Sequence, residues 1–228
     1  MSKKAFKHSL FTFIACTPLI YIIVIWSNIP PVIPTHFSTQ GPDAYGPRSF
    51  LLGMSLFLSA TTTGVYFLLQ YIQKIDPKRA AKPISPVFNK LAIGLAVFLT
   101  AINLLIILMS TQHLWLERAI LPLIGALFAF IGYIMRDIQP NYFAGIRLPW
   151  TLHSDYNWRK THKLGGRIWL AGGILLAVTA IILPTDITPR VLPAFIIIIV
   201  IVPVVYSFLI YKKEQKDPDI AKEDRELK

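Results

Sequence analysis

Six uncharged apolar stretches, at about residues 9–27, 50–72, 91–110, 119–135, 168–183 and 191–211, constrain this chain more than any other feature. An α-helix rises about 1.5 Å per residue, so roughly 20 residues span the ~30 Å of hydrocarbon in a bilayer. The fourth and fifth stretches are about a turn short of that length and the others reach it. With 54% hydrophobic residues and a mean hydropathy of +0.54, the chain carries more apolar surface than one soluble core of 228 residues can hide. The prediction is an all-α, polytopic membrane protein with about six transmembrane helices.

The basic residues set its orientation, because short cytoplasmic connections keep an excess of Lys and Arg during insertion. Lys3, Lys4 and Lys7 precede the first stretch, and Lys74, Lys78, Arg79, Lys82 and Lys90 follow the second. Arg136, Arg147, Arg159, Lys160, Lys163 and Arg167 follow the fourth, and Lys212, Lys213, Lys216, Lys222, Arg225 and Lys228 follow the sixth. Only Arg48, Arg118 and Arg190 fall to the other side, so both termini are expected in the cytoplasm. The same distribution accounts for the net charge of +11 through topology and attraction to anionic lipid head groups, which argues against a nucleic-acid partner. A signal peptide would need a small-x-small cleavage pattern. Trp26-Ser27-Asn28-Ile29-Pro30 lacks one, so the first stretch reads as an uncleaved span.

The organisation expected is an N-terminal two-helix unit over 1–73, a basic cytoplasmic loop over 74–90, a four-helix membrane unit over 91–211 and a charged tail over 212–228. Cys16, the single cysteine, lies within the first span and reads as packing. Trp26 and Trp115 on one side, and Tyr71, Tyr133, Trp169 and Tyr211 on the other, stand where interfacial aromatic belts belong. The pairs Ala60/Gly64 and Gly125/Ala129 have the four-residue spacing that lets helices approach closely. Asn103 and Gln70 are polar groups within spans, suited to interhelical hydrogen bonds.

Two connections are denser than a linker requires. The first, external by the charge rule, runs from Asn28 to Arg48 with five prolines and two glycines, a stiff turning segment. His36, Gln40, Asp43 and Tyr45 are its candidate recognition groups, with the alternative that His36 and Asp43 merely pin the loop to the helices. The fourth connection, within the signature loop 136–167, mixes aromatic and basic residues. Ser154 is placed to cap a short surface helix through Asp155 to Lys163, with Gly165 ending it. On it Trp158 precedes His162 by four residues, Trp158 turning inward and Arg159, Lys160 and Lys163 outward.

The stretch Asn141 to Gly166, with Gly-Ile-Arg-x-Pro-Trp-Thr-Leu and later Trp-x-Lys-Thr-His-x-x-Gly-Gly, resembles the signature of the SdpI family of bacterial immunity membrane proteins. The first loop, Ile-Pro-x-His-Phe followed by Gly-x-x-Asp, is similar to the domain of unknown function that often precedes that signature. The resemblance implies a six-span protein of the bacterial cell membrane that protects against a secreted peptide toxin. It further implies a signalling receptor that draws a cytoplasmic transcriptional repressor to the membrane. The residues it singles out are Asn141, Gly145, Arg147, Pro149, Trp150, Thr151, Trp158, Thr161, His162 and Gly165 in the inner loop, and His36, Phe37, Gly41 and Asp43 in the outer one. No cofactor, metal or catalytic residue is expected. Two other readings stay open: a metal-dependent membrane enzyme, because His153, Asp155 and His162 lie close in sequence, and a small-solute transporter, which would lack ionisable groups within its spans.

Overall fold

The computed structural model describes residues 2–38, 41–76, 86–111, 118–183 and 188–217. Gln40, Trp115, the middle of the basic connection and the tail from Pro218 onward lie outside the described residues. Among the described residues the chain forms seven α-helices: α1 (Lys3–Ile25), α2 (Arg48–Tyr71), α3 (Pro86–Ser110), α4 (Ile120–Met135), α5 (Pro149–His153), α6 (Asp155–Ile182) and α7 (Thr188–Glu214). Five are long and apolar enough to cross a membrane, and α4, at 16 residues, is a shorter apolar helix where the fourth span is expected.

The helices are inside out by the standard of a soluble protein. On α2 the buried stripe is Leu51, Ser55, Ser59, Thr62 and Tyr66, at the three- and four-residue spacing of one helix face, while Leu56 and Phe57 are exposed at 59% and 69%. On α6 Thr161 and His162 are buried and Ile181 and Ile182 are exposed. Water would penalise this arrangement, and hydrocarbon rewards it, since a buried Ser or Asn must find a partner while an outward Phe needs none. The protein is a multi-pass, largely helical membrane protein.

The chain divides into two compact units, one comprising residues 1–70 and 92–123 and the other 71–91 and 124–228. In the first unit Ile22, Ile29, Ile33, Leu51 and Ile107 form a buried cluster, and Tyr66, Ala92 and Ala96 form another with Phe11 stacked on Tyr66. Asn103 on α3 donates to the Ser55 carbonyl and to Ser59 Oγ on α2, each at 3.2 Å, the interhelical role its place in a span suggested.

The first loop is an antiparallel ribbon, β1 (Val32–Ser38) against β2 (Gly41–Pro47). Its prolines hid the strands from a sequence reading, because proline cannot donate to a ladder. A two-stranded ribbon has two free edges, where that loss is tolerated. Irregularities in register around His36 absorb the misfit. Arg48 anchors the base of the ribbon by donating to the Trp26 and Ile29 carbonyls with its guanidinium over the Trp26 ring, and Ser110 Oγ donates to the Pro34 carbonyl.

In the second unit α4 and α6 run antiparallel along a seam of small residues. A Cβ built on Gly125 would lie 2.7 Å from the Gly173 carbonyl oxygen, and one on Gly132 would lie 2.7 Å from that of Gly166. The expected short helix ending at Gly165 is therefore corrected: Ser154 caps α6 through the Asn157 N–H, but α6 continues without a break to Ile182. Gly165 and Gly166 weaken a helix by about 1 kcal/mol each relative to Ala. They persist inside one because α4, the signature loop and α7 occupy the space a side chain would fill. Trp169, expected in an aromatic belt, instead packs inward, its ring against Phe128 and its indole N–H on the Ile199 carbonyl.

The seam separates two kinds of glycine. Gly132→Leu drives a side chain into α6 backbone and is expected to cost more than the roughly 1–3 kcal/mol typical of overpacking. Gly64→Leu projects into open space and is expected to change stability by less than about 0.5 kcal/mol. Thermal unfolding of the two purified variants in detergent checks both values, and equal losses would refute the seam.

Candidate functional site

The signature connection folds around Asn141, a fully buried residue that uses its whole amide. Its Oδ1 accepts from the Phe143 and Ala144 N–H groups at 2.8 and 2.7 Å, and its Nδ2 donates to the Gln139 and Ala144 carbonyls at 2.9 and 3.0 Å. Asparagine is suited to this, since a short side chain with two donors and an acceptor can replace the partners that helix or sheet would give the backbone. The Tyr142 N–H donates to Asp76 Oδ2 at 3.1 Å, which ties the segment after α2 to this turn.

The chain then meets α6. Trp158 is fully buried, with its indole N–H on the Ile138 carbonyl at 2.9 Å and its ring stacked on His162, centroids 4.1 Å apart. His162 Nδ1 lies 2.8 Å from the Trp158 carbonyl and Nε2 lies 2.8 Å from the Ile146 N–H. A carbonyl can only accept and an N–H only donate, so the two contacts assign the neutral tautomer protonated on Nδ1. Gly145 passes directly over this stack with φ of +114°, and a Cβ there would collide with His162 Nε2 and stand 3.2 Å from Trp158 Cζ2. Glycine is demanded twice at this position, by backbone conformation and by space.

Pro149 opens α5, and the Thr151 hydroxyl accepts from the Leu148 N–H at 2.9 Å while donating back to the loop. Trp150 leaves α5 for α7, donating to Ser207 Oγ at 2.9 Å and packing against Phe208 and Tyr211. Asn157, also fully buried, donates to the Ser207 carbonyl and accepts from the Thr161 hydroxyl. Ser154 bonds the Glu214 carboxylate.

The sequence-singled residues of the inner loop thus converge, but mostly as a buried scaffold: Asn141, Thr151, Trp158, Thr161 and His162 are at most 1% exposed. Gly145 and Gly165 are sites of close approach, and Trp150 is half-buried. Arg147 differs. It is exposed, and among the described residues its guanidinium makes no hydrogen bond or ion pair. The trio considered for a metal does not assemble: His153 is exposed and bonded to the Pro149 carbonyl, whereas both ring nitrogens of His162 are committed to backbone and leave no lone pair for ligation. Sequence reasoning missed Asp76 and Ser207. Asp76 could have been noticed as the one acidic residue among the basic residues of 74–90, while nothing local marks Ser207 in an apolar helix.

In the outer loop His36 and Asp43 pair with each other across the ribbon at 2.5 Å, with side chains 69% and 46% exposed, so neither pins the loop to the helices. Gly41 takes a positive φ at the start of β2, and Tyr45 is exposed. Phe37 turns the other way. With Ile33, Met54, Met109 and Ile120 it lines an apolar cavity of about 230 Å³ beneath the ribbon, within the first unit.

Apolar helices with outward-facing hydrophobic side chains and a buried polar knot between two of them define a class of polytopic membrane protein, and comparison with known proteins shows what its segments resemble. Residues 137–207 match the SdpI/YfhL protein family, and residues 13–58 match a domain of unknown function, DUF1648. The chain is also similar to the immunity protein SdpI of Bacillus subtilis (strain 168), 22% identical over 217 residues that cover 91% of this chain and 97% of that one. No solved structure matches. The chain is a multi-pass protein of the bacterial membrane whose residues 137–207 are similar to the SdpI/YfhL family, with a DUF1648-like segment ahead of them.

The scaffold and the exposed residue separate experimentally. Trp158→Phe leaves the Ile138 carbonyl buried without its donor and is expected to lose about 1–3 kcal/mol. Gly145→Ala is expected to lose at least as much, from backbone strain and the clash with His162. Arg147→Ala is expected to stay within about 0.5 kcal/mol of the parent. Chemical or thermal unfolding of the three variants tests the division, and a large loss for Arg147→Ala would place that residue in the scaffold.

Proposed function

We propose that this chain is a membrane immunity protein that protects a bacterium against a secreted peptide toxin, with no catalytic step of its own. The observation that carries the proposal is the near full-length similarity to an immunity protein, which runs through both the first-loop ribbon and the signature loop. Two features of the geometry support it. The cavity under the ribbon is apolar with a polar rim at His36, suited to an aliphatic or aromatic side chain of an amphipathic peptide. The signature loop leaves Arg147 exposed beside a buried scaffold, where its planar guanidinium can meet a carboxylate through two parallel hydrogen bonds. In the finer form of the proposal Arg147 serves a cytoplasmic repressor, drawn to the membrane when toxin is bound.

The test is survival of cells with and without the protein when challenged by a panel of secreted antimicrobial peptides. Expression of the parent chain is expected to protect against at least one peptide, and Arg147→Ala is expected to lose that protection at unchanged membrane abundance. Undiminished protection by Arg147→Ala would remove the inner loop from the mechanism. Failure of the parent chain to protect against any peptide would remove the immunity function.

A further inference from the structure

One flank of the α4/α6 seam gathers cations that neither the scaffold nor the immunity reading uses. Arg136 follows the last residue of α4, and Arg167 precedes the apolar remainder of α6, so both stand where uncharged helix gives way to basic sequence. The missing side chain of Gly166 makes room for the first: a Cβ there would lie 2.6 Å from Arg136 Cγ, so the arginine stem crosses α6 at the residue next to Arg167. Because the helices are antiparallel, residues displaced in the same sense from the seam fall on the same flank. Tyr133 and Arg136 follow Gly132 on α4, and Arg167 and Lys163 lie on the matching side of Gly166 on α6. All four side chains are exposed.

The Arg136 guanidinium lies over the Tyr133 ring at 5.1 Å, with Nε donating to the Tyr133 carbonyl at 3.4 Å. That contact holds the group near the helix end. Among the described residues none of Arg136, Lys163 and Arg167 makes an ion pair, although Asp137 adjoins the first in sequence. Three like charges on one flank, without an ion-pair partner among the described residues, repel one another, and an oxyanion relieves the repulsion.

The geometry points to a binding site for the phosphodiester of an anionic phospholipid, formed by Arg136, Lys163 and Arg167 with Tyr133 at its apolar edge. The ligand chemistry is a phosphate oxyanion, and a lipid is favoured over free phosphate because the cations border helix surface that faces hydrocarbon, where acyl chains already lie. The site is independent of the toxin reading.

The experiment is native mass spectrometry of the full chain in detergent with phosphatidylglycerol, phosphatidylcholine or inorganic phosphate added. The parent chain is expected to retain phosphatidylglycerol in preference to phosphatidylcholine, and inorganic phosphate at equal concentration is expected not to displace it. The double variant Arg136→Gln/Arg167→Gln is expected to weaken retention about tenfold, the 1.4 kcal/mol that one charge-assisted contact supplies. Arg136→Lys/Arg167→Lys, which keeps the charge, is expected to retain most of it and shows that the fold survives substitution. Lys212→Gln/Lys213→Gln, which removes two cations elsewhere on the same unit, is expected to leave retention unchanged. Loss equal to that of the seam variant in this control, no preference for phosphatidylglycerol, or full displacement by inorganic phosphate would each overturn the assignment.

Discussion

The backbone of Gly145 lies against the Trp158–His162 stack, and the non-helical segment between α4 and α5 is organised outward from that contact. Peptide groups buried in this turn are cut off from water, so each must find a partner in the protein. Here His162 takes the Ile146 N–H, Trp158 takes the Ile138 carbonyl, and Asn141 closes the turn between them. The polar groups are specific because each has a geometric counterpart. A bulkier residue at position 145 would displace the imidazole and release the chain at both ends of the segment.

The same economy of space governs the helices. In hydrocarbon there is no hydrophobic gain from bringing two apolar faces together, so association depends on close packing and on hydrogen bonds. The α4/α6 seam supplies the first through Gly125, Gly132, Gly166 and Gly173, and the Asn103 contacts with Ser55 and Ser59 supply the second within the other unit. Attachment of α7 uses both: Phe195 covers Gly172, while Ser207 receives Trp150 and Asn157.

Much of this was legible before any coordinates. The apolar stretches anticipated the long helices because length and apolarity are properties of a single segment, and the Ser154 cap and the Trp158–His162 spacing were equally local. The helix end at Gly165 was misread for an instructive reason. Glycine stops a helix when nothing beyond it compensates, yet here neighbouring helices occupy the vacant volume and make the glycines an advantage. The ribbon of the first loop was missed because five prolines in 21 residues oppose strand formation everywhere except on edges. Asp76 and Ser207 were missed because their partners lie 66 and 50 or more residues away.

By itself the sequence determined that the chain lives in a membrane, where its apolar spans fall, which side of them is basic and which segment carries the signature. These follow from the solvent each segment prefers, which no neighbour can change. Tertiary structure alone decided which signature residues support and which remain available. Asn141 and Thr151 are polar residues of a kind usually found at surfaces, yet they are buried because the turn around them folds back onto their side chains, and Trp158 and His162 are held by the Ile138 carbonyl and the Ile146 N–H, 20 and 16 residues away. Arg147 lies among them in sequence and outside them in space, since a guanidinium with no ion-pair partner among the described residues stays where it can be solvated.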